Sequence, residues 1–512
     1  MLVDRPNPKP LNYAEIKRQK KFKDYEKKWR KLLKNGSTEA IVDDFLFEVG
    51  PLLDTIHLDS PVSDLRSETT THSSEKSGSM PKVLDWVDLV LAGGALLGVA
   101  HVGYIFALEH AGIRFRAIGG TSAGALAAVL LAGLRTKPDA PAGRKLLDLL
   151  LGMPVPKFKD GKLLDRRVGD AILSLMTDLP SSPWKWLMLP AFPVALVGWG
   201  RQVWLQGGIH PGDALEDWVH EQLAANGAGT LAGLKGKCDL SEINFKQDVL
   251  DNDSASSGVR PYWESVEGLV VAVAADVTSG IKAVLSWKRD RQAHPVPLTH
   301  SELYWSDPDL ESPARCVRAS VSLPLYFRPM TVPRKRGEKL PLAGQNASRL
   351  PDSKWADTGF TTTIPDRVRF QDGGVLSRFP INLFHVPPTT EVHWPTFGVG
   401  LSPPRQAKST SGLGQLLYAS ISTAIRIQDI QFTAQNREYE MLTKTVDVGQ
   451  VCALDFKMSI LGKFVLFYNG VLAARDFLMG TKEKKGFQWE KFKKLRRERS
   501  AVVLNTTSIT PT

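Results

Sequence analysis

Apolar residues follow two rhythms along this chain, and the clearest change from one to the other falls between residues 83 and 134. Val83 to Leu91 alternates loosely and is rich in Val, Leu and Trp, which predicts a strand. From Gly98 to His110 the spacing becomes helical, with Val99, Val102, Ile105, Phe106 and Leu108 on repeating turns, and Ala111-Gly112 marks the end. Phe115 to Ile118 predicts a short second strand, Gly119 and Gly120 a turn, and Ala123 to Leu134 a helix of small apolar residues. A helix that crosses between two buried strands joins them in parallel and with right-handed sense, so this βαβα unit predicts a parallel sheet.

The pattern outside that unit divides the chain. Residues 1–58 read as a basic helical N-terminal extension, with helices over Leu11 to Lys34 and Thr38 to Leu53 separated by Asn35-Gly36-Ser37. Residues 59–81 are rich in Ser and Thr without apolar periodicity and read as a linker. Residues 82–400 form the main globular part, 401–480 a helical part packed on it, and 481–512 a basic tail. Within the main part, Gly268 to Ala275 and Lys282 to Trp287 flank Asp276-Val277-Thr278-Ser279-Gly280 as a hairpin does. Segment 337–370 is polar and turn-rich, a surface insertion, and Gly412 to Met441 has helical spacing. Segment 184–205 is strongly apolar with four tryptophans at its margins. Its uncharged stretch is shorter than the ~20 residues of a spanning helix, and Pro190 and Pro193 interrupt it. Two readings remain for it, a lid or membrane-contact segment and a buried helical hairpin.

Charge sharpens this division. The net charge is +11, yet Lys17 to Lys34 holds ten Lys or Arg against two acids, and Lys482 to Arg499 nine against three. The basic character therefore belongs to the two ends, and the rest of the chain is slightly acidic. Phe22, Tyr25, Trp29, Phe487, Trp489 and Phe492 are interleaved with these charges, so each end fits a basic amphipathic helix lying on an anionic membrane, on the protein's own surface, or simply in solvent. No nucleic-acid module frames either segment, and no nucleic acid is expected as a partner. Cys238, Cys316 and Cys452 are far apart, with no metal-type spacing, which predicts neither a zinc site nor a disulfide framework. The N-terminus has no secretory apolar core, and a cytoplasmic location with peripheral membrane association is expected.

The candidate chemistry lies in two glycine-rich turns. Gly120-Thr121-Ser122-Ala123-Gly124 has the G-x-S-x-G form of a nucleophile elbow, in which a tight strand-to-helix turn presents the serine hydroxyl. Ala92-Gly93-Gly94-Ala95-Leu96-Leu97-Gly98 could supply backbone N–H groups to an oxyanion. The upstream loop lacks the Lys-[Ser/Thr] of a P-loop and the G-x-G-x-x-G spacing, so nucleotide binding is the weaker reading. A serine needs a base. Asp372, in Phe370-Gln371-Asp372-Gly373-Gly374, could act alone or with His385 or His393 in a triad of α/β-hydrolase order.

Five blocks in order, Leu89 to Gly103, Gly120 to Gly124, Ala274 to Gly280, Arg318 to Phe327 and Asp372-Gly373-Gly374, resemble the patatin-like phospholipase family over roughly 84 to 400. The resemblance implies an α/β fold of three layers with a mainly parallel central sheet, to which this chain adds helical N- and C-terminal extensions. It implies a Ser-Asp dyad of Ser122 and Asp372, an oxyanion loop of Gly93, Gly94 and Ala95, and turn glycines at Gly98, Gly120, Gly124, Gly373 and Gly374. It implies no metal and no cofactor. The expected activity is phospholipase A or lysophospholipase, on phospholipid or another acyl lipid at an anionic membrane surface. The alternatives are a neutral-lipid lipase or carboxylesterase, and a catalytically impaired lipid-binding protein. Three positions depart from the family: Ala95 for its third glycine, Leu97 for its Arg or Lys, and Arg378 for its Asn.

Overall fold

The computed structural model of the chain describes residues 8–68, 83–161, 206–245, 267–288, 299–333, 367–386, 389–402, 432, 434–449, 451, 455–456 and 458–507. Strand β1 is Arg66–Glu68, β2 Val83–Leu91, β3 Ile113–Thr121, β4 Gly208–His210, β5 Leu269–Asp276 and β6 Ile281–Leu285. They are followed by β7 Leu325–Phe327, β8 Met330–Pro333, β9 Arg367–Asp372, β10 Thr396–Ser402 and β11 Thr443–Asp447. Among the described residues one sheet runs in the order β11-β10-β2-β3-β5-β9-β8, with β1 paired to β2 and β6 to β5. The five strands from β11 to β5 are mutually parallel, while β9, β8, β6 and β1 join antiparallel. Strands β2, β3 and β5 are buried almost throughout, as strands covered on both faces must be.

Two consecutive residues of β3 report the two covering layers. Side chains alternate between faces along a strand. A methyl group at Gly120 would meet the backbone of Gly124 in the helix Ala123–Leu134, whereas one at Gly119 would meet Leu383 and Phe384. The helix and the Ile381–Phe384 turn therefore lie on opposite faces, giving the expected three layers. On the helical side, Val99–His110 crosses Ile460–Met479 at backbone contact. A Cβ at Gly103 would lie 2.0 Å from the Phe467 carbonyl oxygen, and one at Gly470 would lie 2.1 Å from that of Ala100. Only glycine at both positions permits this approach.

Several expectations are corrected here. The second strand is Ile113–Thr121, not Phe115 to Ile118, and Gly119 and Gly120 belong to it and not to a turn. The polar residues that hid its length are satisfied inside the sheet: Arg116 forks onto both carboxylate oxygens of Asp88 on β2, at 2.8 and 2.7 Å. Part of the proposed 59–81 linker is ordered, since Val62, Ser63 and Leu65 are buried and Arg66–Glu68 is β1. Residues 69–81 of that linker lie outside the described residues. The boundary drawn at 400 cuts β10, and the part expected to be wholly helical contributes β11 to the sheet beside the long helix Ile460–Met479. The end of the 337–370 segment is β9. Segment 184–205, residues 412–431 and 433 of the Gly412 to Met441 stretch, and Cys452 lie outside the described residues.

Both basic ends are docked on the body. In Lys20–Lys34, Phe22 and Trp29 are fully buried, against Phe464 of the Ile460–Met479 helix, and the Trp29 indole N–H donates to Asp44 at 2.8 Å. In Trp489–Thr507, Trp489 and Phe492 are buried, and the Trp489 indole and the Lys493 ammonium both reach Asp64. Burial of each aromatic stripe offsets the cost of ordering these polar helices.

Candidate active site

The register of β5 explains why residues 250 apart in sequence meet. Residues 272–276 of β5 pair with β6 along one edge. On the other edge, β3 pairs up to Thr121 opposite Val273, and β9, arriving antiparallel, ends with Asp372 opposite Ala274. Two strands thus meet tip to tip. The residue that follows β3 is Ser122, and its Oγ donates to Asp372 Oδ2 at 2.6 Å. The other carboxylate oxygen accepts the Gly374 N–H at 2.8 Å.

Ser122 has φ 54° and ψ −120°, outside the comfortable regions for a residue with a Cβ. Its surroundings hold it there. The Ser122 N–H donates to the Ser320 hydroxyl at 2.8 Å, which in turn donates to the Val273 carbonyl at 2.6 Å. The Asp372 N–H donates to the Ser322 carbonyl at 2.9 Å. The end of the helix Pro313–Ser320 and the turn after it therefore anchor the backbone of both members of the pair. Ser320 and Ser322 were visible in the sequence only as part of a family-like block, without a role, because their bonds are made to distant strands.

Glycine is required at Gly124, whose Cβ would lie 2.2 Å from the Leu91 carbonyl oxygen, and at Gly373, where it would lie 2.1 Å from that of Val273. Gly120 abuts the same Leu91 carbonyl, Gly98 faces the Ala123 methyl, and Gly374 gives its N–H to Asp372. All five turn glycines expected from the sequence are thus gathered around Ser122 and Asp372.

Burial governs the electrostatics. Asp372 is 5% exposed, and desolvation raises its carboxyl from 3.8 to about 6, against the lowering effects of the Ser122 hydroxyl, the Gly374 N–H and Arg378. A carboxylate with that value ionises near neutrality while remaining basic enough to take a proton from a hydroxyl. His101, fully buried beneath the glycine loop, bonds through Nε2 to the Ala92 carbonyl at 2.7 Å. Burial lowers it to about 4, so at neutral pH it is uncharged and donates Nε2–H.

The glycine loop passes beside the serine, with a Cβ at Gly93 falling 3.4 Å from that of Ser122. One of the three expected oxyanion donors is otherwise engaged, since the Gly93 N–H donates to the Arg378 carbonyl at 2.8 Å. Among the described residues the N–H groups of Gly94 and Ala95 have no protein acceptor. Ala95 adopts φ 48°, the left-handed conformation that glycine takes freely. Ala95→Gly is therefore expected to stabilise the fold by about 1 kcal/mol, read as a higher urea midpoint, with relief of the Cβ clash exceeding the added chain entropy. An unchanged or lower midpoint would show that the loop carries no such strain.

Neither histidine considered for a triad is at the site. His385 Nδ1 bonds the Tyr439 hydroxyl at 2.8 Å and its ring packs on Phe432, while the His393 backbone carbonyl receives Asp64 and Leu65 at the docked C-terminal helix. Among the described residues no group of three or more His, Cys, Asp or Glu is placed to hold a metal, and Cys238 and Cys316 are buried free thiols.

A strand-elbow-helix serine bonded to a buried aspartate in a mainly parallel three-layer sheet defines a class, and the sequence profile of the patatin-like phospholipase family matches residues 89–385. The chain belongs to that family. It is 26% identical over 396 residues to the Bacillus subtilis (strain 168) protein YqhO, across 77% of this chain and 98% of that one. Among solved structures it is similar to VipD from Legionella pneumophila at 14% identity, covering 88% of this chain and 79% of that one with a TM-score of 0.32. It is similar also to the type III effector ExoU of Pseudomonas aeruginosa at 15% identity, covering 80% and 53% with a TM-score of 0.29.

Proposed function

We propose that the protein is a lipid acyl hydrolase, a phospholipase A or lysophospholipase, that cleaves carboxylic esters of membrane lipids through a Ser122–Asp372 dyad. The observation that carries this reading is the 2.6 Å bond from the Ser122 hydroxyl to a carboxylate that burial holds at about 6. Asp372 takes the hydroxyl proton as Ser122 Oγ attacks the ester carbonyl. The resulting oxyanion is held by the Gly94 and Ala95 N–H groups. Collapse breaks the bond to the alcohol, whose oxygen leaves with the proton from Asp372, and the acyl group stays on Ser122. Water then gives a proton to Asp372 and attacks the acyl-enzyme. The second collapse releases the fatty acid and returns the proton to Ser122.

The substrate lies in a bilayer, and the N-terminal helix offers a means of approach. Lys20, Lys23, Lys27, Lys31 and Lys34 form one exposed stripe opposite the buried Phe22 and Trp29, and make no ion pair among the described residues. Since the apolar face is occupied by the protein's own core, docking on an anionic surface rests on these charges and not on insertion of this helix. No helix among the described residues is long and apolar enough to cross a membrane.

One experiment addresses both parts. With vesicles containing anionic phospholipid, the full chain is expected to release fatty acid and lysophospholipid, and to co-sediment in a manner that weakens steeply between about 0.05 and 0.5 M salt. Changing the five lysines to glutamine should remove most of the co-sedimentation while leaving turnover on a soluble ester. No product from phospholipid, neutral lipid or soluble ester would sink the hydrolase reading, and binding indifferent to salt and to the lysines would sink the docking mode.

A further inference from the structure

We infer that Arg378 is the positioning residue of the oxyanion loop, its carbonyl and guanidinium gripping Gly93 from both sides so that the following N–H, that of Gly94, is fixed and polarised. The inference rests on the hydrolase reading above. The Arg378 carbonyl accepts the Gly93 N–H at 2.8 Å, and the Arg378 side chain returns to the same residue, with Nε on the Gly93 carbonyl at 3.2 Å and Nη2 on the Leu401 carbonyl at 2.9 Å. One residue thus ties the loop to β10 and to the turn that carries Asp372.

The geometry of the peptide unit supplies the consequence. A trans peptide is planar, with its C=O and N–H pointing in opposite directions. Holding the Gly93 carbonyl toward Arg378 directs the Gly94 N–H away from it. A charged donor on the carbonyl also withdraws electron density from the amide, which makes that N–H a stronger donor. On the other side of Gly93, His101 holds the Ala92 carbonyl in the same fashion, so two successive carbonyls of the loop are pinned by side chains. Position 97, in the loop's own 3₁₀ turn, carries a leucine only 3% exposed. No charge reaches the loop from that residue. Arg378 brings one from the turn that follows β9.

Arg378 also acts on Asp372, whose carboxyl it lowers. The other groups facing that carboxylate are the Ser122 hydroxyl from the elbow and the Gly374 N–H from its own turn. His101, on the Val99–His110 helix beneath the loop, is neutral above about pH 4. Arg378 therefore links the two halves of the site. Its grip orients the oxyanion donor, and its charge adds a smaller, lowering influence on the carboxyl that burial has raised.

The test measures labelling of Ser122 by an alkyl fluorophosphonate, in which the Ser122 Oγ–P bond forms, P–F breaks and the hydroxyl proton passes to Asp372. It needs no knowledge of the natural lipid. In Arg378→Gln the maximal labelling rate is expected to fall about tenfold or more at unchanged probe affinity, and the acid limb of the pH profile to move to higher pH. Arg378→Lys keeps the charge but cannot span two carbonyls. Its acid limb should return to the wild-type position while the maximal rate stays low. The inference is overturned if Arg378→Gln labels as wild type with an unmoved limb, if Arg378→Lys recovers the full rate, or if the loss only tracks the folded fraction seen by circular dichroism. If wild type labels but not at Ser122, or does not label at all, the hydrolase reading falls, and this inference with it.

Discussion

Ser122→Ala is expected to abolish ester hydrolysis, with a loss of about 10⁴-fold or more, and Asp372→Asn to reduce it by about 10³-fold, each with the fold intact. An amide at 372 retains an acceptor for the Gly374 N–H, but it cannot take the Ser122 proton. The pH dependence follows from the raised carboxyl. Activity requires ionised Asp372, so kcat/KM should rise as pH increases through about 6. Stability runs the other way. The folded value of about 6 lies above the ordinary 3.8, so the folded state binds the proton more tightly, and the stability this confers is lost as pH rises through 6. For a residue 5% exposed the net effect, with the opposing bond from Ser122 already included, is on the order of 3 kcal/mol. Asp372→Asn is free of this cost, so its melting temperature relative to wild type should climb between pH 4 and pH 8. A variant both less active and relatively more stable at high pH is the signature of a buried base. A flat difference would contradict it.

The second large effect concerns Gly124→Ala, which is expected to destabilise the fold by more than about 3 kcal/mol and to abolish activity in whatever fraction remains folded. A methyl group there lies 2.2 Å from the Leu91 carbonyl oxygen, 2.7 Å from its carbon and 2.9 Å from the Ala92 oxygen. All three atoms are backbone, so no side chain can turn aside. Relief requires the helix Ala123–Leu134 to lift from β2, and that helix carries Ser122 at its start. Gly50→Ala provides the contrast, because nothing lies within 4 Å of the added methyl and the residue is inside the helix Thr38–Leu53. That change should raise stability by about 0.5–1 kcal/mol. Melting temperatures of the two variants decide the matter, and equal temperatures would show that the elbow yields.

Val83–Leu91 and Ala123–Leu134 were legible in the sequence to the residue, because each carries its own periodicity and lies between strong local stops. The family and its α/β fold were legible from ordered glycine motifs, which reflect backbone approaches that few other residues allow. Pairing over long distances was not. That β9 delivers Asp372 to the tip of β3 depends on the register of β5, and no window of sequence contains it. Residues 62–68 look like linker because their apolar positions are few, yet the edge of β2 orders them. The basic helices were ambiguous for a related reason: an apolar stripe shows that a helix has a partner but does not say whether the partner is lipid or protein. Arg378 stood out as a departure from the family, and its bonds to Gly93 and Leu401 could not be read from its position alone.

The most direct measurement is peptide mass spectrometry after brief exposure to a long-chain alkyl fluorophosphonate at pH 5, 6 and 8. The dyad predicts a single adduct on Ser122, forming slowly at pH 5 and quickly at pH 8, absent from Ser122→Ala and strongly slowed in Asp372→Asn at every pH. Labelling of another serine with Ser122 unmodified, or labelling of Ser122 at the same rate in Asp372→Asn, would contradict it.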